Sequence, residues 1–371
     1  MRIGIDFHHA EREGTGNCSY IRNLFEALLE LEPASEYTLY VGNPRHPYYD
    51  RFRDRERVRL RPLWSRSVPG RLASLGILAR GDKLDLLHVQ YVAPPFFHGP
   101  LVVSVHDLAF LDRPECFSRP MRAYLKTLVP IGLRRAAEIM TLSEFSRKAL
   151  ALRFPECAAK VRVGPLAANP GLIGARARRR RDLHAIGVRG PFILCVGRLD
   201  ARKNIPVLLR AFAMLRAGTG RGLQLVLAGP KDYWPAALDR EWSESPFRRD
   251  ILRTGLVSEG TLAGLYSAAD VFAYPSLYEG FGLPVLEAMA AGCPVVASNA
   301  TSLPEVVGRA GLLVPPEDPV RLASALRRVL TDKRLRADLV RKGRARAARF
   351  SWSETAKRTL AAYRSAAGRG G

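Results

Sequence analysis

Residues 270–298 read DVFAYPSLYEGFGLPVLEAMAAGCPVVAS. Asp270 to Pro275 is a short β-branched and aromatic run, the pattern of a buried strand. Ser276 to Gly282 is a loop with two glycines. Pro284 suits the first position of a helix, where its missing N–H costs nothing. The helix carries Val285, Leu286, Ala288, Met289 and Ala290 and stops at Gly292, a good C-cap. Cys293 to Ser298 follows as a second apolar strand. Ligands of such strand–loop–helix–strand units sit beyond the carboxyl ends of the strands. Two carboxylates lie there: Glu279 in the loop and Glu287 in the first helical turn. Glycines on both sides of Phe281 let backbone N–H groups come close to a ligand, and the helix N-terminus favours an anion. Carboxylates for hydroxyls and N–H groups for phosphate suit a nucleotide sugar. Taken alone, Glu287 also reads as a favourable charge near a helix N-terminus.

The same pattern recurs upstream. PFILCVG at 191–197 is a strand, followed by RLDARKN and a helix led by Pro206. Arg198 and Lys203 lie just past the strand, where two cations can clamp a diphosphate. LQLVLAG at 223–229 and the stretch around Thr254-Gly255 give further strands, and Gly311 to Val314 a last one. The expected strand ends place Arg198, Lys203, Glu279 and Glu287 along one edge of one sheet. Helices fill 319–349, Phe350-Ser351-Trp352 interrupts them, and a final helix runs near 353–366.

The first half repeats the logic. RIGIDF at 2–7 is a strand, and Gly14, Thr15 and Gly16 form a loop before an amphipathic helix with Ile21, Leu24, Phe25 and Leu28 on one face. Strand, glycine loop and helix make a phosphate-friendly arrangement, or simply a turn. His8 and His9 have no metal-like spacing and receive no role. Val58 and Leu60 alternate with arginines, as in an edge strand with a solvated face. Tyr91, Phe96 and Phe97 follow a strand over Leu84 to Val89; core packing is their default reading, an apolar acceptor wall the alternative. His106 directly follows the strand Leu101 to Val105 and so faces the ligand crevice. Residues 113–135 read as a basic amphipathic helical stretch interrupted at Pro120 and Pro130, either an ordinary surface helix or one lying on a membrane surface. Ser143 is a helix N-cap. Residues 164–182 turn abruptly to glycine, proline and charge, a domain linker signature.

EGFGLPVLEAMAAGCPVVAS and GRLDARKNIPVLLRAF at 197–212 closely resemble segments of retaining glycosyltransferases of family 4 (group 1, mannosyltransferase-like), and VSVHDLAFLDRPE at 103–115 resembles the family's segment in the first domain. The resemblance covers nearly the whole chain and implies the GT-B fold: α/β, with two Rossmann-like domains facing across a cleft. The expected division is 1–168, an acceptor-side domain; 169–350, a nucleotide-sugar domain; and 351–371, a helix crossing back to the first domain. The resemblance implies that Arg198 and Lys203 bind the donor diphosphate and that Glu287 holds the ribose hydroxyls. It places Glu279 and His106 by the transferred sugar, and Gly14, Gly16, Phe281, Gly282 and Leu283 around the donor. His106, Glu279, Arg198 and Lys203 form the expected catalytic set, with no metal site and no cofactor.

The expected reaction moves a hexose, with GDP-mannose the leading donor and UDP- or dTDP-sugars close behind, to a glycan, lipid-linked or small-molecule acceptor, with retention. A sugar-nucleotide epimerase of the same architecture would turn over donor without an acceptor. A non-catalytic nucleotide-sugar sensor would bind donor and release no diphosphate.

The chain is 371 residues long, enough for two domains, and 47% hydrophobic. No apolar run approaches the roughly 18–20 residues of a membrane span. MRIGIDF reads as a strand rather than a signal peptide, so the expectation is a cytoplasmic protein, with peripheral association at an anionic membrane face as the one extension. The five cysteines show no C-x-x-C spacing and indicate neither a disulfide framework nor a zinc site. The net charge is +23, but the arginines are spread along the chain, with one run, RARRRR at 176–181, and no nucleic-acid-binding motif accompanies them. The useful reading is attraction to anionic nucleotides or to an anionic membrane, with no specific nucleic-acid partner.

Overall fold

A computed structural model of the chain describes all residues except 66, 175–179, 219–221, 231–235 and 369–371. The basic run at 176–181 lies outside the residues whose side chains are described. The chain forms two compact units, Met1–Leu166 with the segment from Trp352 onward, and Ala167–Ser351.

The first unit is built on a seven-stranded sheet. In chain order its strands are β1 (Arg2–Asp6), β2 (Glu36–Val41), β3 (Val58–Pro62), β4 (Leu86–Gln90), β5 (Leu101–Ser104), β6 (Glu138–Thr141) and β7 (Val161–Val163). Every pairing is parallel and the spatial order is β3-β2-β1-β4-β5-β6-β7. After β3 the chain returns to the other side of β1, so the topological switch point lies between β1 and β4, where such sheets bind ligands. β4, β5 and β6 are buried along their whole length, as parallel strands covered on both faces must be. β3 is one edge, protected by exposed Arg59 and by Pro62.

Helix Gly16–Leu31 starts at Thr15, whose side chain accepts the Cys18 N–H, and buries Ile21, Leu24, Phe25 and Leu28. The C-terminal helix Trp352–Gly368 packs against it and buries Trp352, Leu360 and Tyr363 in this unit. The expected break in 113–135 is corrected. Arg119–Arg135 is one helix, with Pro120 in its first turn and Pro130 inside it. Pro120 sits where the N–H has no helical partner to lose, and burial of Val129, Gly132 and Leu133 holds the helix through Pro130. The aromatics after β4 divide: Phe97 joins the core, Tyr91 packs partly against it, and Phe96 is exposed.

The second unit carries a six-stranded parallel sheet, ordered β10-β9-β8-β11-β12-β13. Its strands are β8 (Phe192–Val196), β9 (Gln224–Ala228), β10 (Ile251–Gly255), β11 (Val271–Tyr274), β12 (Val295–Ser298) and β13 (Gly311–Val314). The switch point here lies between β8 and β11. Helix Ile205–Gly218 lays Leu208, Phe212 and Leu215 on Ile193, Leu225 and Leu227. Each such fully buried side chain contributes roughly 1.5–3 kcal/mol. None of the five cysteines, all of them among the described residues, is in a disulfide, and four are buried. Among the described residues no helix is long and apolar enough to cross a membrane.

Candidate functional site

In the second unit the sequence-predicted residues gather around the switch point. β8 ends at Val196 and the chain leaves it through Gly197 and exposed Arg198. Asp200 then caps a short 3-10 turn, accepting the Arg202 N–H at 3.1 Å and the Arg202 guanidinium at 2.9 Å. Burial works to raise the Asp200 pKa, but Arg202 and Lys203 outweigh it and hold the carboxyl below its usual range. The turn carries Lys203 inward. Its Nζ lies 2.6 Å from Glu279 Oε1 and 2.5 Å from the Tyr274 hydroxyl at the end of β11. Burial opposes the ammonium charge, yet Glu279, Tyr274 and Asp200 overcome that and raise the pKa, so Lys203 is a fixed cation. Asn204 closes the turn with a left-handed backbone (φ 53°), which asparagine tolerates.

Glu279 is held by its backbone: its N–H donates to Thr301 Oγ1 at 3.0 Å, and Ser302 Oγ donates to its carbonyl at 2.9 Å. Ser302 also grips the Phe281 carbonyl at 3.0 Å, while the Phe281 ring is buried edge-on to Phe350. Only its backbone therefore faces the role expected of Phe281. Gly282 has φ +103°, and a Cβ there would stand 2.5 Å from the Leu303 side chain. Glycine is required on both counts. Gly282 is also the N-cap of helix Leu283–Ala291 and supplies no side-chain cap; its carbonyl accepts the Val285 N–H at 3.0 Å and Pro284 has no N–H, so Leu283 supplies the remaining N–H of the first turn. With the helix starting at Leu283, Glu287 lies in its second turn rather than the first. It is not a surface charge at a helix end: it is buried, and Tyr266 donates its hydroxyl to Oε2 at 2.9 Å. Burial pushes its pKa up to about 7, with the Tyr266 bond acting the other way. The structure thus joins Lys203 to Glu279 directly, sets Glu287 in its own pocket with Tyr266, and leaves Arg198 on the exposed exit of β8.

The first unit holds the other expected residues. Gly14 has φ +72° in the loop after β1, and Gly16 opens its helix with free space where a Cβ would stand. His106 follows β5, buried edge-on to Tyr20 at 4.6 Å and tilted against Tyr91 at 5.5 Å. Burial, then neighbouring His88, pulls its pKa down to about 3, so the ring is neutral. Its Nε2 is buried with no hydrogen-bond partner among the described residues. Behind it runs a chain of buried polar groups. Tyr20 OH and Ser104 Oγ are 2.8 Å apart, Ser104 Oγ and His88 Nε2 2.7 Å, and His88 Nδ1 and Tyr363 OH of the C-terminal helix 2.6 Å.

Sequence reasoning missed several groups. Tyr274 and Tyr266 read as strand and helix aromatics, and nothing local marks their hydroxyls as partners of the lysine and the glutamate. Asp6, ending β1, bonds His8 Nδ1 at 2.6 Å, both buried. Gln90 ends β4 buried. The strand-end rule that selected His106 would have selected Asp6 and Gln90 as well. Among the described residues no group of three or more His, Cys, Asp or Glu side chains is placed to hold a metal.

Two sequence families match this chain: "Glycosyl transferases group 1" over residues 190–332 and "Glycosyltransferase Family 4" over residues 19–172. The O-antigen chain mannosyltransferase B of Escherichia coli is 34% identical over 282 residues, covering 72% of this chain and 74% of that protein. The MMP alpha-(1->4)-mannosyltransferase of Mycolicibacterium hassiacum is 30% identical and matches 100% of this chain and 99% of its own. Among solved structures, a sucrose-phosphate synthase of Thermosynechococcus elongatus superposes with a TM-score of 0.78 at 24% identity, covering 98% of each chain.

Proposed function

The chain belongs to the family 4, group 1 glycosyltransferases of GT-B fold, and from that premise we propose that it transfers a hexose, mannose first among candidates, from a nucleoside-diphosphate sugar with retention. The observation that carries the donor assignment is the buried Lys203–Glu279 pair beside the N-terminus of helix Leu283–Ala291. A fixed cation, an arginine fork at Arg198 and the helix N-terminus supply the positive potential that a leaving diphosphate needs. Glu287 grips the ribose hydroxyls, and Gly14, Gly16, Phe281, Gly282 and Leu283 lend backbone to the donor. Glu279 and neutral His106 stabilise the transferred sugar as it gains positive charge. With those cations in place the reaction requires no divalent metal. The departing phosphate oxygen takes the acceptor proton on the same face, which accounts for retention. Mannose leads because the two relatives named above are both called mannosyltransferases. Those names are of transferases, so neither an epimerase nor a sensor is favoured. The acceptor is a glycan, a lipid-linked sugar or a small molecule, and the exposed basic side chains of helix Arg119–Arg135 would favour an anionic membrane surface nearby.

The test is a panel of GDP-, UDP- and dTDP-sugars read by thermal shift and by nucleoside-diphosphate release. The cognate donor stabilises by mass action, and product NMR reads the anomeric configuration. A panel with no stabilising donor and no diphosphate release overturns the proposal, and an inverted product overturns retention.

A further inference from the structure

The first unit contains a buried amide with nothing to bond. Gln90 is 5% exposed, and neither Nε2 nor Oε1 has a hydrogen-bond partner among the described residues. Leaving a buried polar group unsatisfied costs roughly 1–3 kcal/mol, so a side chain that could have been leucine or methionine at no such cost calls for a reason. Its position supplies one. Gln90 is the last residue of β4, on one side of the switch point, where ligands of doubly wound sheets bind.

The neighbours agree. In the parallel register Gln90 is level with Ser104 of β5. His88, two residues back on the same strand, bonds Ser104 Oγ, which fixes the face of the sheet on which both stand. Gln90 continues that face, and His106, two residues past the end of β5, packs edge-on to Tyr20, whose hydroxyl bonds Ser104. His106 Nε2 likewise lacks a partner. Across the switch point His8 Nε2, on a ring held by Asp6, is a third buried nitrogen without one. Protein groups satisfy His88, Ser104, Tyr20 and Tyr363 just beneath. Other buried side-chain atoms of this unit also lack a partner among the described residues, Thr141 Oγ1 at the end of β6 and Trp352 Nε1 among them, while Gln90, His106 and His8 bring theirs to, or just past, the carboxyl ends of β4, β5 and β1.

We propose that Gln90 is a specificity-determining residue that binds sugar hydroxyls in the first unit, its amide donating to one hydroxyl and accepting from another beside His106. This rests on the glycosyltransferase reading above. An amide presenting both a donor and an acceptor matches a vicinal diol, and an apolar side chain would not. The hydroxyls belong either to the transferred sugar or to a sugar acceptor, and the two give different kinetics.

The experiment compares the wild-type chain with Gln90→Met, of similar volume, and Gln90→Leu. Four quantities are measured: melting temperature, affinity for free nucleoside diphosphate, hydrolysis of the nucleotide sugar without acceptor, and transfer to methyl α-mannoside as probe acceptor. The expected result is an unchanged or raised melting temperature, unchanged diphosphate affinity, and a loss of turnover of roughly ten- to a hundredfold. A loss already present in hydrolysis places the transferred sugar on Gln90; a loss confined to transfer places the acceptor there. A lowered melting temperature in both variants, or hydrolysis and transfer both within about twofold of wild type, overturns the proposal. Failure of the wild-type chain to bind diphosphate or cleave any donor overturns the proposed function instead, and the control arm shows which has happened.

Discussion

Glu287→Gln isolates the burial of one carboxylate. The wild-type side chain is buried and its pKa is lifted from 4.5 to about 7. That difference corresponds to on the order of 3 kcal/mol between the two protonation states. The folded chain holds this proton more tightly than the unfolded chain, so the group favours folding at low pH. The advantage is lost as pH rises through the window from about 4.5 to about 7 and is absent above it. Glutamine keeps an oxygen to accept from Tyr266 and carries no charge at any pH. The two proteins should therefore melt closest together at pH 5, and at pH 8 the variant should gain roughly 5–10 °C relative to wild type, taking about 2–4 °C per kcal/mol for a unit of this size. The assay is calorimetry across pH 5–9 without ligand. Melting curves that shift in parallel, with a pH-independent difference, would refute the reasoning. The proposed ribose contact adds a second readout. Hydroxyls donating to the carboxylate favour its ionised form, so nucleotide binding near pH 7 should release a proton in wild type and none in the variant. Titration in two buffers of different ionisation enthalpy measures it.

Arg198→Ala and Lys203→Ala should each cost roughly 2–4 kcal/mol in kcat/KM through the lost diphosphate contact. Only Lys203→Ala should also lower the melting temperature, because it leaves Glu279 and Tyr274 without their buried cation; equal stability in the two variants would contradict the pairing. Glu279→Ala should slow sugar transfer more than it weakens free diphosphate binding, and an equal loss in both would show that its role is not tied to the sugar. Tyr363→Phe removes the outer end of the His88 chain and should destabilise the first unit by about 1 kcal/mol while leaving diphosphate affinity intact; unchanged melting would show that the bond contributes nothing. Activity should survive exhaustive chelation, and complete loss with EDTA restored by magnesium or manganese would overturn the metal-free proposal.

The sequence by itself determined the elements and their kind. The apolar runs at β8, β11 and β12, the glycine stop at Gly292 and the Ser143 cap are local signals, set by burial on both faces of a strand and by backbone geometry at helix ends. They placed the strand ends, and with them Arg198, Lys203, Glu279, Glu287 and His106. What local pattern could not determine was which side chains meet. Tyr274 lies 71 residues from Lys203 and Tyr363 lies 275 from His88. A hydroxyl becomes a partner only when the sheet order and a helix from the other end of the chain bring it within bonding distance. Tertiary structure likewise carried helix Arg119–Arg135 through Pro130, since burying its apolar face outweighs one missing hydrogen bond. It turned Glu287 from a helix-end charge into a buried acid, and it alone could leave Gln90 without a partner, because satisfaction of a polar group is a property of everything around it.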